Sequence, residues 1–306
     1  MGGRPLRIGV VLPLIDDGTP GRDLGWPGIL GIARRAEELG FDSLWAADHF
    51  LFRRLDSTTA GPLESWAVLT AIAAVTTRIE IGPWVSCSPF RNPALTAKMA
   101  ATLDEISGGR LILGLGAGWH EPEFRATGTP FDHRVGRFEE AATIIRALLR
   151  DGRVDFDGRW HRAEGCELLP RGPRPSGIPL LFGAKGPRMA ALTARLADSW
   201  NTWATWADGA YEIPLQKTLL DDACEAIGRD PASLERTAGV LVDFDDARPT
   251  GMPPARNLPG EDPERLSASF MSACDAGVRH LMVTLNPETP RSLERLALAL
   301  ERLDSR

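Results

Sequence analysis

Eight times along this chain, a short run of apolar, β-branched residues is followed by a longer segment whose apolar residues recur at helical spacing. Residues 7–12 form the first run, and the first helical segment, 27–39, closes at Gly40. Further strands are predicted at 43–47, 79–85, 110–115, 180–182, 199–203, 237–244 and 280–285. Helices are predicted at 63–76, 93–106, 134–149, 187–196, 208–227, 263–275 and 290–303, with Asp262 as N-cap and Pro263 at the first helical position of the penultimate one. Alternation of this kind implies an α/β protein with a parallel sheet. Eight units in 306 residues favour a closed (β/α)8 barrel, the TIM-barrel architecture, over an open doubly wound sheet, which is the competing arrangement.

Two stretches interrupt the alternation. At about 151–178, Asp157-Gly158 lies between Val154, Phe156, Trp160 and His161 and is followed by Pro, Gly and Arg, which reads as an inserted β-hairpin and loop. At about 245–262 the Pro- and Gly-rich segment 249–259 follows the seventh strand, where it is either a lid or a surface excursion. The reading is therefore one domain over 1–306 with these two insertions.

With 43% hydrophobic and 25% charged residues, the chain can bury a large core without covalent staples. A formal charge of -6 with no basic block argues against a nucleic-acid partner bound through phosphate contacts. The first apolar run is broken by Pro13 and followed by two aspartates, unlike a signal peptide or a membrane span. Cys87, Cys166, Cys224 and Cys274 are widely spaced and read as free thiols, so the expectation is a soluble cytoplasmic protein.

Barrel enzymes carry their functional groups just beyond the C-terminal ends of the strands. Asp48-His49-Phe50 follows the second strand, and His49 can hold or release a proton near neutral pH; a structural histidine is the alternative. Val85-Ser86-Cys87-Ser88 follows the third strand, with hydroxyls suited to a bound ring system. Cys87 there is either a nucleophile or, more commonly, a small buried hydrophobe. Gly114–Glu121 follows the fourth strand and resembles GxGxG, but it lacks the context of a dinucleotide fingerprint. It reads as a bend that lets a cofactor approach the backbone at Ala117 and Gly118, with Trp119 available for stacking. Gly183-Ala184-Lys185-Gly186-Pro187 follows the fifth strand and opens a helix. It is either an anion-binding loop suited to phosphate or a plain tight turn. The five histidines form no HxH or HExxH pair, so no metal site is expected, and no GxSxG elbow is present.

In combination, Ala36-Glu37-Glu38-Leu39-Gly40-Phe41-Asp42-Ser43-Leu44-Trp45 leading into Asp48-His49-Phe50, then Arg91-Asn92-Pro93, and the run 102–110 resemble the bacterial luciferase-like flavin and deazaflavin oxidoreductases. So do residues 114–124 and 179–201, with their GAKGPR and LADSWN strings. The resemblance is strong from residue 6 to about 203 and weaker beyond. The GAGWHEPEF string is most similar to the branch that uses the deazaflavin coenzyme F420, although the FMN-using branch shares many motifs.

The resemblance implies a (β/α)8 barrel with insertions and a coenzyme ring over the bulge at Val85, Ser86 and Cys87, often with a non-prolyl cis peptide, placed here at Val85–Ser86. It implies that Asp48 contacts the coenzyme and that His49 is the catalytic proton donor or the group orienting substrate. Ser88, Ala117 and Gly118 would line the ring and its side chain, while Gly183, Ala184, Lys185, Gly186 and Pro187 would hold phosphate. One departure matters: sugar-phosphate dehydrogenases of the family carry a catalytic Glu where this chain has Trp119. Trp119, with Trp45, Trp66 and Trp84 on neighbouring elements, points instead to an apolar or aromatic substrate pocket.

Three functions follow as expectations. The first is F420-dependent hydride transfer to or from a small organic substrate. The second is a two-component FMN monooxygenase supplied by a separate flavin or deazaflavin reductase, and the third a non-catalytic flavin-binding barrel. No membrane partner is expected, and apolar helices on the barrel exterior would allow a homodimer.

Overall fold

A computed structural model describes residues 4–16, 25–53, 59–174, 176–246 and 256–305. Eight parallel strands carry the barrel: β1 (Arg7–Val11), β2 (Ser43–Ala46), β3 (Glu80–Pro83), β4 (Leu113–Gly116), β5 (Leu180–Gly183), β6 (Ser199–Trp203), β7 (Glu235–Asp243) and β8 (Val278–Asn286). Hydrogen-bonded neighbours run β3-β2-β1-β8-β7-β6-β5-β4. The ring closes between β3 and β4, where the Ile81 amide donates to the Arg110 carbonyl and the Ile112 amide to that of Ile81. The chain then bends through a cis peptide at Trp84–Val85, and Ser86–Cys87 pairs with Leu115 and Gly116 of β4. The cis bond thus lies one residue before the expected Val85–Ser86 position.

Among the described residues, helices α1 (Trp26–Glu38), α2 (Ser65–Ala73), α3 (Pro93–Ser107), α4 (Glu121–Thr127), α5 (Arg134–Asp151), α6 (Pro187–Leu196), α7 (Leu215–Glu225), α8 (Pro263–Asp275) and α9 (Pro290–Asp304) surround the strands. Their ends follow local chemistry. Asn92 accepts from the amides of Ala94 and Leu95 at the start of α3, and Asp262 does the same for Glu264 and Arg265 at α8, as its position before Pro263 predicts.

The barrel interior is filled by Val11, Trp45, Ile112, Leu181 and Met282, with Trp84 and Val85 packed above them. Trp45 occupies the lumen only because β1 and β3 offer no side chain there: a Cβ on Gly9 would lie 2.6 Å from its Nε1, and one on Gly82 2.7 Å from its ring. Beneath it, the Trp45 Nε1–H donates to Ser43 Oγ at 2.7 Å, and that hydroxyl lies 2.7 Å from Nε2 of the fully buried His280. Arg7 closes the floor by pairing with Glu80 and Glu235 at 2.6 Å each.

Two of these helices depart from expectation. The predicted helix 208–227 begins only at Leu215, because Thr205–Ala207 and Ala210–Glu212 form an antiparallel hairpin. Its turn is Asp208-Gly209, with φ of 50° and 82°, the backbone that an Asp-Gly turn supplies. The seven-residue α4 escapes a search for helical period because it is under two turns long. Within the 151–178 stretch, Arg153–Asp157 pairs with Arg162–Glu167 and lies along α5. Residues 249–255, most of the candidate lid, lie outside the described residues; Asn257–Pro259 adds a short parallel strand beside β7.

Candidate active site

Asp48 organises the C-terminal mouth of the barrel. Its carboxylate accepts from Ser65 Oγ at 2.8 Å, Ser86 Oγ at 3.1 Å, the Cys87 amide at 2.8 Å, and both terminal nitrogens of Arg91 at 2.7 and 3.0 Å. Burial by itself raises the pKa of such a group, but Arg91 and the hydrogen bonds from Ser65 and Cys87 outweigh it and hold the carboxyl below its ordinary value. Both oxygens are therefore spent on protein donors. Direct coenzyme contact, expected of Asp48, has no free lone pair to use in this arrangement; the carboxylate instead fixes the bend at Ser86 and Cys87. Trp66 braces the same bend by donating from Nε1 to Ser86 Oγ at 3.2 Å.

Behind that bend, Val85 projects between β4 and β5: Cβ atoms on Gly116 and Gly183 would lie 2.7 and 3.0 Å from its Cγ2. Of the expected residues, Val85 and Gly183 thus meet at this end of the barrel. Cys87 is buried against Gly118, and burial with the nearby Asp48 and Glu123 carboxylates pushes its thiol far up, which favours the small buried hydrophobe over the nucleophile. The Ser88 hydroxyl is buried with no hydrogen-bond partner among the described residues. In the loop after β5, the Trp200 Nε1–H donates to the Ala184 carbonyl at 3.1 Å, while Lys185 is exposed and pairs with no acid among the described residues. Gly186, at φ 81°, precedes Pro187 at the start of α6, which has no side-chain cap.

His49 lies across the mouth. Its Nδ1 is 2.9 Å from Oε2 of Glu123, a residue of α4 that is only 2% exposed, and the other oxygen of Glu123 accepts from the Phe50 and Leu51 amides at 2.6 and 3.2 Å. Around the imidazole stand Phe52 at 5.5 Å and Trp119 at 5.8 Å, both edge-on, and the neighbouring His120 ring stacks on Phe52 at 5.0 Å. His120 Nε2 accepts from the Arg53 amide at 3.0 Å, and burial lowers its pKa, the Glu123 carboxylate opposing.

Of the tryptophans expected near substrate, Trp119 is 63% exposed at the mouth, whereas Trp45 and Trp66 are buried as packing residues. Trp84 donates to Asn201 Oδ1 at 2.9 Å and packs edge-on against Trp203 at 5.0 Å. Trp203 borders a cavity of about 440 Å³ whose wall also carries Lys185, Glu212 and Arg256. Glu123, Arg91, Asn201 and Arg256 were not foreseen. The first three stand inside strings already singled out, and for Glu123 and Arg91 the signal was a charge placed among residues otherwise suited to burial. Among the described residues, no three His, Cys, Asp or Glu side chains gather closely enough to hold a metal ion, and no helix is long and apolar enough to cross a membrane.

A family model described as luciferase-like monooxygenase matches residues 6–248. The 5,10-methylenetetrahydromethanopterin reductase of Archaeoglobus fulgidus is 37% identical over 213 residues, 70% of this chain and 59% of that protein. An F420-dependent glucose-6-phosphate dehydrogenase of Amycolatopsis mediterranei is 31% identical over 217 residues, 70% of this chain and 64% of its own length. The chain therefore spans about three-fifths of the length of these curated relatives. In fold it is similar to an F420-dependent secondary alcohol dehydrogenase solved with an F420-acetone adduct, with a TM-score of 0.80 at 21% identity, covering 97% of this chain and 99% of that one. By the extent of the family match and the identity to these relatives, the chain belongs to the luciferase-like monooxygenase family.

Proposed function

We propose that the protein is a coenzyme F420-dependent oxidoreductase that transfers a hydride between the deazaflavin and a small organic substrate, with His49 holding the accompanying proton. The observation that carries this reading is the Asp48 carboxylate, which bonds Ser86 and the Cys87 amide and so fixes the residue preceding His49 against the bend that would support the coenzyme ring. The names of the A. mediterranei relative and of the alcohol dehydrogenase supply the choice of coenzyme.

The residues present suit the coenzyme. Among the described residues the buried Ser88 hydroxyl has no hydrogen-bond partner and Lys185 of the loop 183–187 pairs with no acid, beside an uncapped helix start, which favours phosphate. When bound, the coenzyme supplies the carbon that takes or gives the hydride. The chain supplies the rest: Val85 and the Ser86–Cys87 bend support one face, His49 manages the proton, and the aromatic wall of Phe52, Trp119 and His120 excludes water. Trp119, exposed at the mouth beside Phe52, directs the substrate class towards apolar or aromatic compounds.

Fluorescence titration of the purified protein with F420, and separately with oxidised and reduced FMN, tests the reading. Saturable binding of F420 with weaker binding of both FMN forms is expected. Preference for reduced FMN would move the protein to oxygen-activating chemistry. His49→Ala is expected to leave F420 binding within a few-fold and to lower turnover by about 10²–10⁴-fold.

A further inference from the structure

We propose that Glu123 is a positioning residue that holds His49 in its Nδ1–H tautomer and so makes Nε2 the nitrogen that exchanges a proton with substrate. The inference rests on the reading of His49 as the proton-handling group.

An ionised carboxylate accepts hydrogen bonds and donates none. Glu123 receives three donors: Oε1 takes the amides of Phe50 and Leu51, and Oε2 faces Nδ1 of His49 at 2.9 Å. With both backbone donors fixed on Oε1, the contact to Oε2 is satisfied only by a proton on Nδ1. The neutral ring then carries its lone pair on Nε2, which meets no hydrogen-bonding group of the protein among the described residues. In the oxidative direction the substrate gives its hydride to the coenzyme and its proton to Nε2; in the reductive direction both return.

The same carboxylate ties down the chain immediately after the imidazole, because its amide donors belong to the two residues that follow His49. Orientation and tautomer are thus set by one side chain from α4, four residues beyond Trp119 in sequence. The second histidine at the mouth cannot stand in for the first. His120 spends its Nε2 lone pair on the Arg53 amide and is stacked on Phe52.

Replacing Glu123 by Gln makes the geometry discriminating. Glutamine has one acceptor oxygen, and the Phe50 and Leu51 amides claim it, so the NH2 group turns towards His49. Nδ1 must then accept, which drives the neutral ring to the Nε2–H tautomer and removes the lone pair from the reactive nitrogen.

The experiment is a long-range ¹H–¹⁵N spectrum of the imidazoles, recorded on the alkaline side of histidine titration for the full chain and for Glu123→Gln and Glu123→Asp. The chain has only five histidines, and the His49 signals are assigned by their loss in His49→Asn. The expected result is Nδ1–H in the wild type and in Glu123→Asp, and Nε2–H in Glu123→Gln. In parallel, turnover with F420 is expected to fall about 10²–10⁴-fold in Glu123→Gln and to recover at least tenfold in Glu123→Asp, with the coenzyme affinity unchanged. A wild-type His49 in the Nε2–H form overturns the proposal even if Glu123→Gln does not fold, and so does an Nδ1–H ring in a folded Glu123→Gln. Unchanged turnover in His49→Ala would instead sink the assignment of His49, and the two failures are distinct because the tautomer is read without turnover.

Discussion

At the scale of single residues, adjacent side chains at the mouth divide the work between holding and reacting. Asp48 and His49 were both legible in the sequence as a carboxylate and an imidazole at a strand end, but their division of labour was not. Their partners, Arg91 and Glu123, lie 43 and 74 residues away, and only the fold brings them together. Asp48→Asn leaves the guanidinium of Arg91, 17% exposed, facing an amide in place of a charge, with Glu64 as its remaining acid. Breaking one half of a buried ion pair typically costs about 3–5 kcal/mol, against about 0–1 kcal/mol for an exposed pair. Asp48→Asn is therefore expected to lose about 3 kcal/mol in urea unfolding and His49→Ala less than about 1 kcal/mol. Equal losses in the two variants would show that Asp48 is not the structural member of the pair.

At the scale of elements, what the sequence reveals is set by the range of the interactions involved. Strands and helices with a clear period were legible, and so were the caps at Asp262 and Pro263, because propensity and capping are local. The Asp208-Gly209 hairpin was equally local, yet it was absorbed into a helix because apolar residues on both sides kept an approximate helical spacing. The packing of Trp84 was out of reach, since it depends on a distant strand. A Cβ on Gly239 of β7 would lie 2.3 Å from the Trp84 ring, whose Nε1 is held by Asn201 and whose edge meets Trp203. With no room to retreat, the indole must rotate or the strands must part, and overpacking of this kind costs about 1–3 kcal/mol. Gly239→Ala is expected to lower the urea midpoint accordingly and to shift tryptophan emission. It is also expected to weaken F420 binding, because Trp84 leads directly into the bend at Val85. An unaltered midpoint would mean that the mouth yields more readily than this close contact implies.

At the scale of the whole barrel, the end opposite the mouth serves stability, and its buried histidine gives that role a pH signature. His280 on β8 is shielded by β1 and β7 and bonded to Ser43 of β2, so the floor joins strands from both termini of the chain. Burial, assisted by the positive charge of Arg7, lowers the His280 pKa well below the ordinary value of 6.5. The unfolded chain therefore binds a proton near pH 6.5 that the folded chain refuses. Stability rises with pH wherever the unfolded state holds more protons, so the contribution of His280 is complete above about pH 6.5 and is lost as the pH falls towards its folded value. The slope for one such group is about 1.4 kcal/mol per pH unit. His120 and His161, lowered chiefly by burial, act in the same sense. Glu80, raised chiefly by burial, acts in the opposite sense but only from its ordinary carboxylate range upward. The difference between wild type and His280→Gln isolates the floor, because glutamine can still hydrogen-bond the Ser43 hydroxyl without titrating. Urea unfolding at pH 7.5, 6.5 and 5.5 is expected to show the wild type losing stability faster than His280→Gln below pH 6.5, by up to about 1.4 kcal/mol per unit. Parallel curves would mean that His280 takes its proton in the folded barrel, beside Arg7 and the Glu80 and Glu235 carboxylates that pair with it.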